Sequence, residues 1–385
     1  MTRAGASLIR LGLTESWAED TLTELGWWVG DRPAEGAEQI MWALARSPDP
    51  GLALRGAERL VAALTDRADR RAFDAALRAE RGLRGRLFAL LGSSTVLADH
   101  LAVHPDRWHR LCDDAGGPAV GSPATDPGPA LLAAVGAEPD APPAGSPGGA
   151  AASLTGSAAI QALRAAYRDE LLVLAAADLA AAAEPELPVL DVEDVARRLS
   201  DLAGAALRAA LAVAVAESAD DQGRDPGRLA VIAMGKCGGH ELNYVSDVDV
   251  VFVAEPADAA TARLAGRVMR ILGESCFEVD ANLRPEGRQG ALVRTLDGHV
   301  AYYKRWAKTW EFQALLKARP IAGDPDLGKA YAEAVAPMVW SASGRPDFVG
   351  DRRAGSARPC TSWSSCTANS TSRSPPRPSL SSRSA

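Results

Sequence analysis

The sequence predicts an α+β protein, in which a mixed sheet with flanking helices is embedded in largely α-helical regions. Two observations support this prediction. Alanine and leucine dominate a chain that is 47% hydrophobic, and most of its apolar residues recur at helical spacing. Between about residues 226 and 324, short apolar runs of strand length replace that spacing. The sheet is therefore expected in that part of the chain, with helical segments before and after it.

Residues 1–114 are predicted to form an N-terminal helical region. Amphipathic segments such as ESWAEDTLTELGWWV recur through it, with charged residues opposite the apolar positions. Ser93 or Ser94 is expected to cap one of its helices, because a serine hydroxyl accepts from the free N–H groups of a first turn.

Three histidines in this region, His100, His104 and His109, are spaced near helical turns. Such spacing is compatible with a metal cluster. However, Pro105 interrupts the periodicity, and no cysteine or carboxylate pattern accompanies the histidines. We therefore expect surface or helix-capping histidines.

Residues 115–152 are rich in Gly, Pro and Ala, and they are predicted to be a flexible linker with too little apolar periodicity to pack. Residues 153–225 are then expected to be a helical lead-in. Pro185 and Pro188 divide it, and the second part predicts one long helix that reaches the first strand of the sheet.

The catalytic core is expected at residues 226–324, where an apolar run, Leu229–Met234, suits a buried strand. A glycine-rich turn follows, and then Asp247 and Asp249 stand two apart at the start of a second apolar run. Side chains two apart on a strand project from the same side. Two carboxylates on one side repel each other unless a cation lies between them. Magnesium, which often keeps a substrate phosphate as a further ligand, is the usual occupant.

A resemblance supports this interpretation. The run GKCGGHELNYVSDVDVVFV resembles the G-G…S-D-x-D signature of the DNA polymerase β-type nucleotidyltransferases. In more detail it is similar to the bifunctional glutamine synthetase adenylyltransferase/adenylyl-removing enzymes. A second block, Phe277–Asp324, resembles the same family nearly throughout. The resemblance implies a polymerase β-type mixed sheet.

The resemblance also implies the residues of the site. A further strand is expected from Cys276 to Leu283, and it carries Asp280. Asp280 would join Asp247 and Asp249 as the third catalytic carboxylate, and the three would hold one or two magnesium ions. The residues expected to contact nucleotide or phosphate are Gly238, Gly239, Ser246, Arg284, Arg288, Lys308, Glu311, Lys317 and Arg319. A helical block is predicted from His299 to Pro320. For its charged residues, a solvated surface role stays open as an alternative. Its aromatic residues, among them Tyr303, Trp306 and Trp310, are expected to form a core stripe.

The form GGHELNYVSDVD and the long helical lead-in resemble the N-terminal, adenylyl-removing domain of that family. The implied activity is phosphorolysis, in which inorganic phosphate releases AMP from a tyrosine of glutamine synthetase as ADP. The implied partners are glutamine synthetase, ATP or ADP, phosphate and a PII-type signalling protein. Two alternatives stay open, namely adenylyl transfer from ATP to a hydroxyl group, and an inactive fragment that only binds.

Composition excludes some classes of protein. The net charge of −7 argues against a nucleic-acid binder, which normally has a basic face. No apolar run reaches the length of a membrane span. The five cysteines show neither metal spacing nor an even framework, which indicates a reducing cytoplasm.

The end of the chain differs from the rest. Residues 325–350 are expected to begin a following helical region. Residues 351–385 are rich in serine, arginine and proline, with Asp351 as their one acid. The resemblance stops there. This tail is therefore predicted to be disordered and aberrant, as after a frame shift or truncation.

Overall fold

The structure is a computed structural model, and it describes residues 8–113, 125–219 and 227–344. It confirms the predicted α+β class, with one mixed sheet among many helices. The helices are α1 (Ala18–Glu24), α2 (Glu38–Arg46), α3 (Pro50–Ala63), α4 (Arg67–Ala79), α5 (Arg81–Leu91), α6 (Thr95–Val103), α7 (Gly128–Ala134), α8 (Gly156–Ala183), α9 (Val192–Ala219), α10 (Gly235–Gly238), α11 (Ala259–Ser275), α12 (Leu296–Arg305), α13 (Thr309–Leu315) and α14 (Pro325–Ser343). Two 3₁₀ helices span Pro105–Leu111 and Gly287–Gln289.

The strands form a hairpin and a larger sheet. They are β1 (Trp28–Val29), β2 (Arg32–Pro33), β3 (Arg228–Ala233), β4 (Val248–Glu255), β5 (Val279–Asp280), β6 (Val293–Arg294) and β7 (Arg319–Gly323). In the larger sheet, β3 pairs antiparallel with both β4 and β7, whereas β4 pairs in parallel with β5 and, farther along, with β6. Helices α9 and α11 cover one face of this sheet, and α12, α13 and α14 cover the other.

Helices α1 to α6 pack around their own apolar core, which includes Trp27, Phe73 and Phe88. The cap predicted at Ser93 or Ser94 lies at Ser94, whose hydroxyl accepts from Leu97 N at 3.3 Å. Helix α8 connects this bundle to the rest of the protein, since it contributes buried residues both to the bundle core and to the core beneath the sheet.

The histidine prediction is wrong at His100. This residue is buried, and its Nε2 lies 2.7 Å from the carboxylate of Asp169 on α8. His109 is exposed and stacks on Trp108. The partner of His100 stands far away in sequence, so the local histidine spacing carried no sign of it.

The linker prediction is wrong over residues 125–152. Helix α7 lies here, and Leu131 and Val135 are fully buried against α9. At Gly145, φ is +86° and a Cβ atom would lie 2.7 Å from the carbonyl oxygen of Leu229. The small residues of this segment therefore permit close packing on the first sheet strand rather than flexibility. Residues 115–124 lie outside the described residues.

The helical block predicted from His299 to Pro320 is divided. It breaks between α12 and α13, and its last residues begin strand β7. The break changes the phase of the aromatic residues, so Tyr303 is buried while Trp306 and Trp310 are exposed. The strand expected from Cys276 to Leu283 is limited to the two residues of β5.

Within the described residues, α9 contains a segment, Val192–Ser218, that is long and apolar enough to cross a membrane. However, 78% of its most apolar stretch is buried inside the protein. Its alanine and leucine side chains pack on the sheet, on α8 and on α11, as in the core helix of a globular domain. The tail predicted to be disordered, 351–385, lies outside the described residues.

Candidate active site

Two of the predicted carboxylates stand opposite each other at one edge of the sheet. Strands β4 and β5 run parallel, with Val248 paired to Val279 and Asp249 paired to Asp280. Registered residues of neighbouring strands project from the same face. The structure therefore brings Asp249 and Asp280 together, and Asp247 immediately precedes the same strand.

The surroundings of Asp249 oppose ionisation of its carboxyl group. Burial is the largest cause that raises the pKa of its carboxyl group, and together with the negative charges of Asp280 and Asp247 it brings that pKa to about 6. The nearby ammonium group of Lys236 opposes this effect. A half-buried carboxylate facing two others is therefore only partly compensated by the protein itself.

The turn after β3 is built around Asp249. The N–H of Met234 donates to the carbonyl oxygen of Asp249 at 2.8 Å. The next residue, Gly235, has φ +52°, and a Cβ atom there would lie 2.4 Å from Asp249 Oδ2. Two reasons therefore require glycine at position 235, namely its positive φ and the carboxylate that lies where a Cβ atom would be.

Gly238 and Gly239 were predicted to let the backbone approach phosphate, and the structure gives them another role. Their N–H groups donate to the carbonyl oxygens of Met234 and Gly235. A Cβ atom on Gly238 would lie 2.0 Å from the carbonyl oxygen of Lys317, and one on Gly239 would lie 2.8 Å from the Lys317 side chain. Both glycines therefore permit contact between this turn and the segment that enters β7.

Arg319 fixes the same turn from the side of β7. Its Nη2 and Nε donate to the carbonyl oxygens of Cys237 and Gly238, at 3.0 and 3.2 Å. Lys317 forms an ion pair with Glu241 on the loop after the turn. Both cations thus hold the backbone around the site, while Lys317 stays partly exposed beside it.

Arg284 and Arg288 were predicted as a pair of phosphate contacts, but the structure separates their roles. The Arg284 guanidinium donates to the carbonyl oxygens of Ala281, Arg288 and Gly290. It therefore ties together the loop that follows Asp280. Arg288 is exposed, and its side chain has no partner within the described residues.

The remaining predicted contacts also differ from one another. Glu311 is buried, and its carboxylate accepts from Tyr302 Oη and from the N–H of Lys308, so it stabilises the start of α13. The Lys308 side chain is exposed. Ser246 donates to the carbonyl oxygen of Asp247 at 3.2 Å, next to the carboxylate cluster.

The donor set can be compared with what magnesium requires. Three carboxylates offer the hard oxygen ligands that the ion prefers, and the raised pKa of Asp249 indicates a shortage of positive charge. Within the ranges described, however, no three acidic, histidine or cysteine side chains converge as a finished metal site. Asp247 is exposed, and Asp280 Oδ1 accepts from the N–H of Asn282. The oxygen ligands suit magnesium, although the three carboxylates do not converge on one point in this structure.

Three residues near the site were missed by sequence reasoning. Gly235 stood in the glycine turn, but nothing local indicated that its partner was Asp249. Lys236 is exposed, and its positive charge lowers the pKa of the Asp249 carboxyl group. Tyr244 donates from its hydroxyl group to Asp178 on α8 at 2.9 Å. The feature of the sequence that could have indicated a role for Tyr244 is its position three residues before Asp247.

Known proteins of one family are similar to this chain. A profile described as glutamate-ammonia ligase adenylyltransferase matches residues 84–334. The chain is also similar to proteins named bifunctional glutamine synthetase adenylyltransferase/adenylyl-removing enzyme. It is 56% identical to the one from Nocardia farcinica over 354 residues, and 51% identical to the one from Mycobacterium avium over 343 residues.

The one from Mycobacterium tuberculosis is 50% identical over 344 residues. These alignments cover 88–89% of this chain but only 32% of each relative. The chain thus spans about a third of the length of the curated relatives that it matches.

Proposed function

Because the chain belongs to the glutamate-ammonia ligase adenylyltransferase family, we propose that it removes AMP from an adenylylated tyrosine of glutamine synthetase by phosphorolysis, in the cytoplasm. The observation that carries the chemistry is the pairing of Asp249 with Asp280 beside Asp247. The direction of reaction rests on the resemblance of GGHELNYVSDVD to the adenylyl-removing domain. Adenylyl transfer from ATP uses the same carboxylates and is the outcome to be distinguished by experiment.

Asp247, Asp249 and Asp280 would hold magnesium, which supplies positive charge to the oxygens around the reacting phosphorus. Occupation by a cation removes the repulsion that raises the pKa of Asp249. The side chains of Asp247 and Asp280 would have to turn toward a common point. Asp247 is exposed and free to do so, whereas Asp280 would exchange or share its hydrogen bond from Asn282.

The proton balance of phosphorolysis needs no protein base. A phosphate oxygen forms a bond to the AMP phosphorus, and the bond from phosphorus to the tyrosine oxygen breaks. The tyrosine takes up one proton, since its pKa is about 10, and hydrogen phosphate gives one up. ADP and free tyrosine result. The protein's part is to orient the two anions and to offset their charge.

Three cations are suited to the phosphate oxygens. Lys236 is exposed beside Asp249, and Arg288 is exposed without a side-chain partner among the described residues. Lys317 is already paired with Glu241 but stays partly exposed. Arg284, Arg319 and Glu311 already form hydrogen bonds within the protein, so we assign them to support of the site rather than to contact with phosphate.

The test uses adenylylated glutamine synthetase with this chain, magnesium and inorganic phosphate. Production of ADP that requires phosphate, and that is lost in Asp249→Asn, would support the proposal. Asp20→Asn, an exposed carboxylate on α1, is the matched control and should keep full activity. Incorporation of AMP from ATP into unmodified glutamine synthetase, without phosphate-dependent ADP, would establish the opposite direction. Binding of glutamine synthetase without either reaction would indicate an inactive binding fragment.

Two further expectations follow from the resemblance and share this proposal. ATP or ADP would bind at the carboxylate cluster, and a PII-type signalling protein would act as a partner. Titration of each with the full chain, with and without magnesium, tests them separately from turnover.

A further inference from the structure

Each of two carboxylates of the site is preceded, three residues earlier, by an aromatic residue that contacts α8. Tyr244 precedes Asp247, and its hydroxyl group donates to Asp178 Oδ2 at 2.9 Å. Phe277 precedes Asp280, and its ring packs against Tyr167 with 5.7 Å between centroids. Two separate segments of the catalytic core are thus attached to one helix.

The two attachment points share one face of α8. Tyr167 and Asp178 are eleven residues apart, which is about three helical turns and a rise of about 16 Å. Asp169 lies about 200° around the helix from Tyr167, and it pairs there with His100 of the N-terminal bundle. One face of α8 therefore contacts the bundle, and the other contacts the active-site segments.

The loop before Asp247 depends on Tyr244 for its side-chain anchor. Leu242 is buried, and its N–H donates to Ser200 Oγ at 3.4 Å. Beyond it, Val245 is 90% exposed, and the Ser246 hydroxyl donates only as far as the neighbouring carbonyl oxygen of Asp247. Within the described residues, the hydrogen bond from Tyr244 is thus the last one to another element before Asp247.

We propose that α8 is the positioning element of the site: through Asp178 and Tyr167 it holds Tyr244 and Phe277, and so sets where Asp247 and Asp280 lie relative to each other. Tyr244 and Asp178 are positioning residues in this proposal, because they act on the site through Asp247. The consequence for catalysis rests on the proposed function, whereas the consequence for loop order does not.

The first experiment measures amide hydrogen exchange in the metal-free, full-length chain. Tyr244→Phe removes one hydroxyl group, and Asp178→Ala removes its acceptor. The amides at the two ends of this loop are hydrogen-bonded, since the N–H of Leu242 donates to Ser200 Oγ and that of Val248 donates to the carbonyl oxygen of Glu278. Each variant should speed exchange of these two amides by about tenfold. Asp178→Asn keeps an acceptor oxygen and should restore nearly normal exchange. Unchanged exchange of this loop in Tyr244→Phe would overturn the proposal.

Tyr331→Phe is the matched control. It too removes a single hydroxyl group, in this case a buried one that lies 3.1 Å from that of Tyr303 on the opposite face of the sheet. It should leave exchange of the Leu242 and Val248 amides unchanged. An equal effect of this control on the loop would show general loosening of the fold and would overturn positioning by α8.

The second experiment measures the magnesium concentration for half-maximal ADP release. Tyr244→Phe should raise that concentration by about tenfold, with a smaller change in KM for adenylylated glutamine synthetase. Faster loop exchange with an unchanged magnesium requirement would overturn the link to Asp247. If the wild-type chain releases no ADP, the proposed function fails, while the exchange experiment still decides whether α8 holds the loop.

Discussion

At Gly235, a Cβ atom would lie 2.4 Å from Oδ2 of Asp249. The turn after the first sheet strand and the central carboxylate of the site therefore occupy adjoining space, and they cannot be changed independently. The main chain reinforces this relationship, because Met234 N–H donates to the Asp249 carbonyl oxygen. The glycine turn accordingly positions the carboxylate as well as offering a backbone close to any ligand.

Gly235→Ala should therefore impair both stability and activity. The positive φ alone costs about 1 kcal/mol for a residue with a Cβ, and displacement of the carboxylate adds to this. We expect the free energy of unfolding to fall by about 1–2 kcal/mol and ADP release to fall by about tenfold or more. Gly266→Ala is the control, because its Cβ would meet nothing within 4 Å in the middle of α11. That change should stabilise the protein slightly. Urea unfolding and turnover of both variants check the prediction, and equal behaviour of the two would contradict it.

Arg284 and Arg288 should respond differently to removal of their charge. Arg284→Gln loses donors to three carbonyl oxygens of its own loop, so the melting temperature should fall by several degrees. Arg288→Gln should leave the melting temperature within about one degree, because the exposed side chain has no described partner. Because Arg288 is proposed to contact phosphate, Arg288→Gln should raise the KM for phosphate by about tenfold at an unchanged melting temperature. Similar thermal losses in the two variants would refute this division of roles.

The local pattern predicted where part of the candidate site lies in the chain, and its function stays a prediction. Asp247 and Asp249 stood out because carboxylates at alternate positions border an apolar strand, and the structure places Asp280 opposite Asp249. The predicted phosphate contacts were less secure. Arg284, Glu311 and Arg319 all have hydrogen-bond partners within the protein. A charge in a motif does not reveal whether a backbone carbonyl or a ligand will satisfy it.

The fold shows the same limit. Helix α9 and helix α11 followed from strong apolar periodicity. Strand β7 was missed because only three residues separate its five residues from the preceding helix, and its pairing with β3 is a long-range contact. The packing of residues 125–152 was missed for another reason. Gly and Ala in that segment serve close backbone contact, which composition alone cannot distinguish from flexibility.

The buried pair of Asp169 and His100 should stabilise the join between α8 and the N-terminal bundle. Burial raises the pKa of Asp169, but the hydrogen bond from His100 and the charges of Arg107, His100 and Arg110 outweigh burial and lower it. A lowered pKa in the folded state gives stability that is present above the unfolded pKa and is lost as the pH falls through the folded value. Asp169→Asn should therefore cost about 3 kcal/mol at pH 7, and the difference from wild type should shrink below about pH 4.

Asp99→Asn is the control for this pair. Asp99 forms an exposed ion pair with Arg59, so its loss should cost under about 1 kcal/mol. Urea midpoints at pH 7 and pH 3.5 compare the two variants. A cost at Asp169 that does not exceed the cost at Asp99 would show that the buried pair adds nothing to the join.

Asp249 and His299 should drive stability in opposite directions over one pH range. Burial lowers the pKa of His299 to about 4, and its imidazole lies against Tyr331 behind strand β4. The unfolded chain takes up that proton first as the pH falls below 6.5, so stability is lost from pH 6.5 to pH 4. Asp249 has a raised pKa of about 6. The unfolded chain loses that proton first as the pH rises above about 4, so stability is lost from pH 4 to pH 6.

The His299 effect should be the larger of the two. A shift of this size corresponds to about 3 kcal/mol for a fully buried group, whereas solvent screening reduces the Asp249 contribution to about 1–2 kcal/mol. Wild-type stability should therefore rise between pH 4 and pH 6.5, and it should rise more steeply in Asp249→Asn. In His299→Phe, which keeps an aromatic ring against Tyr331, stability should instead decline from pH 4 to pH 6. Urea midpoints at half-unit steps of pH measure both slopes. Parallel curves for the wild type and His299→Phe would refute the assignment to this histidine, because loss of its titration must change the slope and not only the height of the curve.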